Sequence, residues 1–179
     1  MMYDTISCQP VIPADRFVLR PVRKSDVGSM ALYAGDERVA RSTRSIPHPL
    51  PPGTTEGFIQ RALDVSQPQD AWVIDGSLTE QQEVLGVITL TRLDRGQSEM
   101  SYWVAPAFWN AGIASEAVRA MIAANPLENS AIFAEVFQDN PASARVLTNA
   151  GFEYIGDAES HCVSRAANVP TWTYMHKYS

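Results

Sequence analysis

Cysteine is nearly missing from this sequence of 179 residues: Cys8 and Cys162 stand far apart, outside any CxxC spacing. Neither a disulfide framework nor a zinc site is indicated, and no metal is expected. Long apolar runs are missing as well. Nothing in Met1 to Arg20 has the length of a signal-peptide core, and no later stretch approaches the roughly twenty apolar residues of a membrane span. The expectation is therefore a cytoplasmic protein with no membrane partner. Positive charge is in the minority, with 14 Lys and Arg against 20 Asp and Glu and a net charge of -6. That balance argues against broad contact with nucleic-acid phosphates. A mildly acidic surface serves solubility first and cationic partners only second. Neither G-x-G-x-x-G nor G-x-x-x-x-G-K-[ST] occurs, which removes nicotinamide dehydrogenases and P-loop enzymes.

What remains is an ordinary globular composition, 45% hydrophobic and 19% charged, at a length that suits one domain over residues 1–179. Arg16 to Val22 alternates apolar and polar residues as a half-buried strand does, and Ser25 or Asp26 offers an N-cap for a helix through Val27, Met30 and Ala31. A Pro-rich stretch, Ile46 to Gly53, forbids helix and ladder alike. Thr54 and Thr55 then cap a helix predicted to run to Val65, with Phe58, Ile59, Ala62 and Leu63 on its apolar face.

Three strands follow, Ala71 to Asp75, Val84 to Arg92 and Gln97 to Val104, the last two joined by a turn at Asp94-Arg95-Gly96. Helical spacing begins at Ile113, with Ala117 and Met121 on one stripe, and stops at Asn125-Pro126. Ile132 to Phe137 reads as a strand. Asn140-Pro141 opens another helix, which Gly151 closes. Phe152 to Ile155 and Thr171 to Tyr178 supply the last strands, so the order describes a mixed α/β sheet covered by helices.

Two stretches carry chemistry. Trp103 to Ala117 (WVAPAFWNAGIASEA) runs from a strand end through a loop into a helix opening on small residues. A helix N-terminus has unpaired N–H groups and a positive dipole end, so a pyrophosphate can lie against it. Gly112 either admits that close approach or merely eases the loop into the helix; Ala114 adds little bulk, and Ser115 carries a hydroxyl donor. The second stretch, Asn140 to Phe152 (NPASARVLTNAGF), is more specific. Its pattern N-x-x-S-x-x-x-L-x-x-x-G-F, downstream of FWNAGIASEA, resembles the second cofactor motif of the GNAT acetyltransferases. The pair in this order is similar to the Rim-type branch, the ribosomal-protein N-terminal acetyltransferases, and the likeness extends from Phe17 to Tyr178. At Asn110-Ala111 the chain departs from that branch, which often has Gly-Lys there, so phosphate binding would rest on backbone dipoles.

The resemblance implies a mixed, mostly antiparallel seven-stranded sheet, splayed between its fourth and fifth strands, with helices on both faces. It implies acetyl-CoA as cofactor, with pantetheine paired to the exposed backbone of Tyr102, Trp103 and Val104, Trp109 also at the cofactor, and pyrophosphate held by the N–H groups of Asn110, Ala111, Gly112, Ile113, Ala114 and Ser115. Asn140 and Ser143 would border the pantetheine and thioester. As side chains, Trp72, Tyr102 and Trp103 read as core.

The partner implied is a primary amine: a peptide N-terminus first, a small amine such as a polyamine, amino acid or antibiotic second, and acyl-CoA sensing without turnover as a third reading. The protein itself would be a monomer or homodimer. An α-amine of pKa about 7.7–8.0 is roughly a tenth neutral near pH 7, so it needs only a modest base. Glu99 stands where the superfamily's histone acetyltransferases carry theirs, and is otherwise a solvated strand carboxylate paired with an Arg. Ser143 would donate a hydrogen bond to the leaving sulfur, or is a helix-surface serine. The oxyanion would meet a backbone N–H near Val104. Cys162, with no His or Lys set beside it in a recognisable motif, reads as a buried or edge thiol. His48 in the Pro-rich loop would lie over the acceptor pocket, and is otherwise solvated.

Overall fold

The computed structural model describes residues 9–179, so Cys8 and the first residues read above for a signal peptide lie outside it. Strands β1 (Ile12–Pro13), β2 (Val18–Pro21), β3 (Gln69–Asp75), β4 (Gly86–Arg92), β5 (Gln97–Val104), β6 (Ala131–Phe137), β7 (Glu153–Cys162) and β8 (Ala167–Lys177) form one sheet in the order β1-β2-β3-β4-β5-β6-β8-β7. Every neighbouring pair is antiparallel except β5 and β6. Helices are α1 (Val27–Ala34), α2 (Glu37–Ala40), α3 (Thr54–Ala62), α4 (Ile113–Ala124) and α5 (Pro141–Asn149). Among them no helix is long and apolar enough to cross a membrane.

Alternation along the strands divides the core. Side chains one residue apart point to opposite faces of a sheet. Trp72, Ile74, Ile88, Leu90 and Met100 therefore meet Ile113, Ala117, Met121 and Leu147 of α4 and α5 on one face. Ala71, Val73 and Val87 pack with Met30 and Ile59 of α1 and α3 on the other. Both faces of the central strands are buried, which is why β3 and β4 read as continuous apolar runs rather than as alternation.

The sheet has eight strands where seven are expected. β1 is only two residues long, too short for any periodicity to register. The α3 helix ends at Ala62 rather than Val65, and its N-cap is Gly53 at φ 84°, a left-handed conformation suited to glycine. Thr54 does not cap the helix; its hydroxyl donates to the Pro51 carbonyl at 2.8 Å. Asp26 likewise makes no side-chain cap for α1, because its carboxylate is engaged by Arg20 at 2.8 Å and 3.0 Å. In the three-residue loop Asp94-Arg95-Gly96, closed by the Leu93 N–H donating to Gln97 O at 2.8 Å, Arg95 and Gly96 both have positive φ.

Candidate active site in the splayed sheet

β5 and β6 pair only from Gln97↔Ala131 to Met100↔Ala134. Beyond Met100 the two strands have no pairing, and the register of the neighbouring ladder shows which groups this leaves bare. Leu93 N–H donates to Gln97 O and Ala105 N–H to Leu85 O, so the odd-numbered residues of β5 direct their backbone toward β4. Even-numbered residues direct theirs toward β6. Tyr102 and Val104 therefore turn their N–H and C=O groups into the gap, whereas Trp103 faces β4. The Val104 carbonyl accepts from Trp109 Nε1 at 2.7 Å, which leaves its N–H as a donor.

Gly112 caps α4 at φ 74°. Among the described residues, none of the N–H groups from Asn110 to Ser115 has a protein acceptor; the first to be satisfied is Glu116, which donates to the Gly112 carbonyl at 3.1 Å. Six consecutive free donors at a helix start make an anion cradle. A free strand edge and this cradle, joined by the short segment from Val104 to Asn110, fit coenzyme A as the donor set requires: edge groups for the amide-bearing pantetheine, N–H groups for the pyrophosphate.

Asn140 caps α5, its side chain accepting from Ser143 N–H at 3.4 Å. That geometry sets Ser143 in the first turn, where its Oγ lies 2.6 Å from the Tyr102 hydroxyl. Tyr102 is thus more than core. Its ring packs against the α4–α5 core, while its oxygen reaches the site. Burial pushes the phenol up to about 12, against the Ser143 hydrogen bond that pulls it down, so it stays protonated throughout the neutral range. Trp103 lines the cavity from the other side, and Trp72 is wholly buried with its indole N–H on the Pro10 carbonyl at 3.0 Å.

Glu99 lies on the α1–α3 face of the sheet, one parity away from Tyr102, and lines a cavity of about 660 Å³ that also reaches Ser143. Glu99 and Ser143 thus approach the gap from opposite faces. The Glu99 carboxylate is ion-paired to Arg44, whose other nitrogen lies 3.6 Å from Glu135; Ser160 donates to Glu135 in turn. His48 is exposed and does not line the cavity; Ile46 and Leu50 of the same loop do. Cys162 is buried, with its thiol 3.3 Å from the Thr43 carbonyl. No cluster of His, Cys, Asp and Glu suited to a metal occurs among the described residues.

Arg44 and Glu135 escape the sequence reading. Arg44 lies in an irregular segment, 55 residues before its partner, and no local pattern marks it. Glu135 is a lone carboxylate in an apolar strand, and that lone charge was the available signal.

Residues 16–153 match the family model described as Acetyltransferase (GNAT) domain. A Bacillus subtilis (strain 168) protein named Uncharacterized N-acetyltransferase YoaA is 27% identical over 176 residues, covering 92% of this chain and 95% of that protein. In fold, the chain is similar to RimL, a ribosomal L7/L12 α-N-protein acetyltransferase in complex with coenzyme A, with TM-score 0.81, 18% identity, and 94% and 98% of the two chains covered. It is also similar to spermidine N-acetyltransferase from Vibrio cholerae in complex with CoA and spermine, with TM-score 0.73, 14% identity, and 89% and 95% covered. With the family model spanning most of its length and the gap and cradle in place for the cofactor, this chain belongs to the GNAT family and is an acetyl-CoA-dependent N-acetyltransferase.

Proposed function

We propose that the acceptor is a peptide or protein N-terminal α-amine, acetylated by direct attack in a ternary complex. The observation that carries this reading is the charge balance of the cavity. Arg44 and Arg61 line it together with Glu99 and Glu135, so its formal charges cancel. A polyamine carries several positive charges and demands an acidic pocket. An α-amine carries one, and the hydroxyls and amide of Thr89, Thr91, Ser101 and Gln69 that also line the cavity suit the backbone groups of a peptide. The small-amine reading keeps support from the fold shared with a spermidine acetyltransferase.

Bound acetyl-CoA supplies a thioester carbonyl and a thiolate leaving group. On the α1–α3 face, Glu99 receives the proton of the incoming amine, directly or through one water, and Arg44 fixes its carboxylate in position. The Val104 N–H, aimed into the gap, is the donor for charge developing on the carbonyl oxygen. On the opposite face the Ser143 hydroxyl, oriented by Tyr102, donates to the sulfur. Glu99 and Ser143 would thus serve a thioester held in the gap from opposite faces, the first taking the amine proton and the second donating to the departing sulfur. Neither hydroxyl needs to ionise, and Tyr102 at about 12 adds no titration near neutral pH.

Thiol release from acetyl-CoA, followed across peptides of different N-termini, spermidine and free amino acids, tests the assignment. Peptides should exceed spermidine, and Glu99→Gln and Ser143→Ala should each lower the rate at least about tenfold. Because the unmodified α-amine titrates at about 7.7–8.0, the wild-type rate should rise with pH toward that value and then level off. Turnover of spermidine alone would move the assignment to small amines.

A further inference from the structure

The segment Trp109 to Ser115 carries six free N–H donors but no Lys or Arg. A cation nevertheless lies against it, delivered from the start of the chain. Arg16 sits in the turn between β1 and β2, where its backbone is held on two sides. Its N–H donates to Glu116 Oε2 at 2.9 Å, and its carbonyl accepts from Thr79 Oγ1 at 2.7 Å. From this base the side chain reaches the loop. Nε donates to Glu116 Oε1 at 2.8 Å and Nη1 to the Ala111 carbonyl at 2.7 Å. Nη2 lies against Gly112, where an added Cβ would come within 3.4 Å of it. Glu116 is 12% exposed and Arg16 43%, so the anchor is covered while the guanidinium still meets water.

We propose that Arg16 is a positioning residue for the pyrophosphate loop: it fixes the orientation of the Ala111–Gly112 peptide and supplies the positive charge that the loop itself lacks. In a trans peptide C=O and N–H point in opposite directions. Tying the Ala111 carbonyl to Nη1 therefore turns the Gly112 N–H away from Arg16, as a donor for a phosphate oxygen. The guanidinium behind this peptide adds its field to the N-terminal end of the α4 dipole. It also offsets Glu116, whose carboxylate would otherwise stand in the first turn of α4 and repel phosphate.

This inference rests on acetyl-CoA as cofactor, so the test measures binding rather than turnover. Dissociation constants for coenzyme A, and for pantetheine, which lacks every phosphate, are measured by calorimetry or competition for wild type, Arg16→Gln and Arg16→Lys. Arg16→Gln should weaken coenzyme A about tenfold, equivalent to about 1.4 kcal/mol, and leave pantetheine within about twofold. Arg16→Lys, which keeps the charge but not the planar fork, should recover part of that loss. Arg16→Lys serves if Arg16→Gln does not fold: it keeps the charge but loses the fork that ties the Ala111 carbonyl, and should weaken coenzyme A selectively by a smaller factor. Unchanged affinity for coenzyme A in Arg16→Gln, or an equal loss for pantetheine, would overturn the proposal while leaving the cofactor assignment standing. A wild-type protein that does not bind coenzyme A would bring both down.

Discussion

Gly86→Ala is expected to lower stability by about 3 kcal/mol or more, at the upper end of overpacking costs, and to abolish tight coenzyme A binding in whatever fraction still folds. Gly86 stands opposite Val104 in the β4–β5 ladder. A Cβ there would lie 2.2 Å from the Trp103 carbonyl oxygen and 2.9 Å from Val104 Cα. Both are backbone atoms, so no rotamer change relieves the overlap and the strands themselves must separate. They would separate at Trp103 and Val104, which shifts Val104, whose N–H faces the gap. Urea unfolding gives the stability loss, and calorimetric titration with coenzyme A gives the affinity. Near-wild-type values in both would show that β4 does not set the position of the cofactor edge.

A comparable loss is expected away from the site. Asp75→Ala should destabilise the fold by up to roughly 3 kcal/mol, because it leaves the buried Nε of Arg20 without its acceptor while Asp26 still holds the other two nitrogens. Arg20, on β2, donates through Nε to Asp75 at 2.6 Å and through its other nitrogens to Asp26, and all three side chains are 6% exposed or less. Burial pushes the Asp75 carboxyl up, but hydrogen bonds from Ser77 and Arg20 outweigh it and hold the group below the usual carboxylate range. A carboxyl held lower when folded than when unfolded stabilises the fold above the unfolded value of about 3.9, and that contribution is lost as pH falls through the folded value. The gap in urea midpoint between wild type and Asp75→Ala should thus be full at pH 6 and narrow below about pH 4. A gap that stays constant into acid would assign the loss to packing rather than to the ion pair.

The central elements are legible in the chain because their signals are local. Gln97–Val104 appears with its observed bounds, since a tight turn at Arg95-Gly96 precedes it and the strand alternates. The start of α5 is legible because Asn140 caps it and Pro141 follows. Boundaries fail where a tertiary partner takes the local group: Asp26 is engaged by Arg20 instead of capping α1, and the stop at Ala62 has no residue marker that differs from Val65. The long β7–β8 hairpin was only partly visible. Its outer strand is solvent-exposed along almost its whole length, so no hydrophobic pattern marks where it extends.

For the site, the order of chemistry along the chain was already determined by residue type and spacing. A strand ending at Val104, a small-residue helix start at Gly112 and an Asn-capped helix bearing Ser143 are legible because backbone donors and caps act within a few residues of themselves, and their resemblance to the GNAT motifs is what points to a cofactor. What only the tertiary structure decided is which charges meet there. Arg16 reaches Glu116 across 100 residues of sequence and Arg44 reaches Glu99 across 55, while Tyr102 finds Ser143 across 41. Such pairings are products of sheet order and strand divergence. A guanidinium or hydroxyl on an irregular segment carries no periodicity of its own, so its partner is set by where the folded chain brings it.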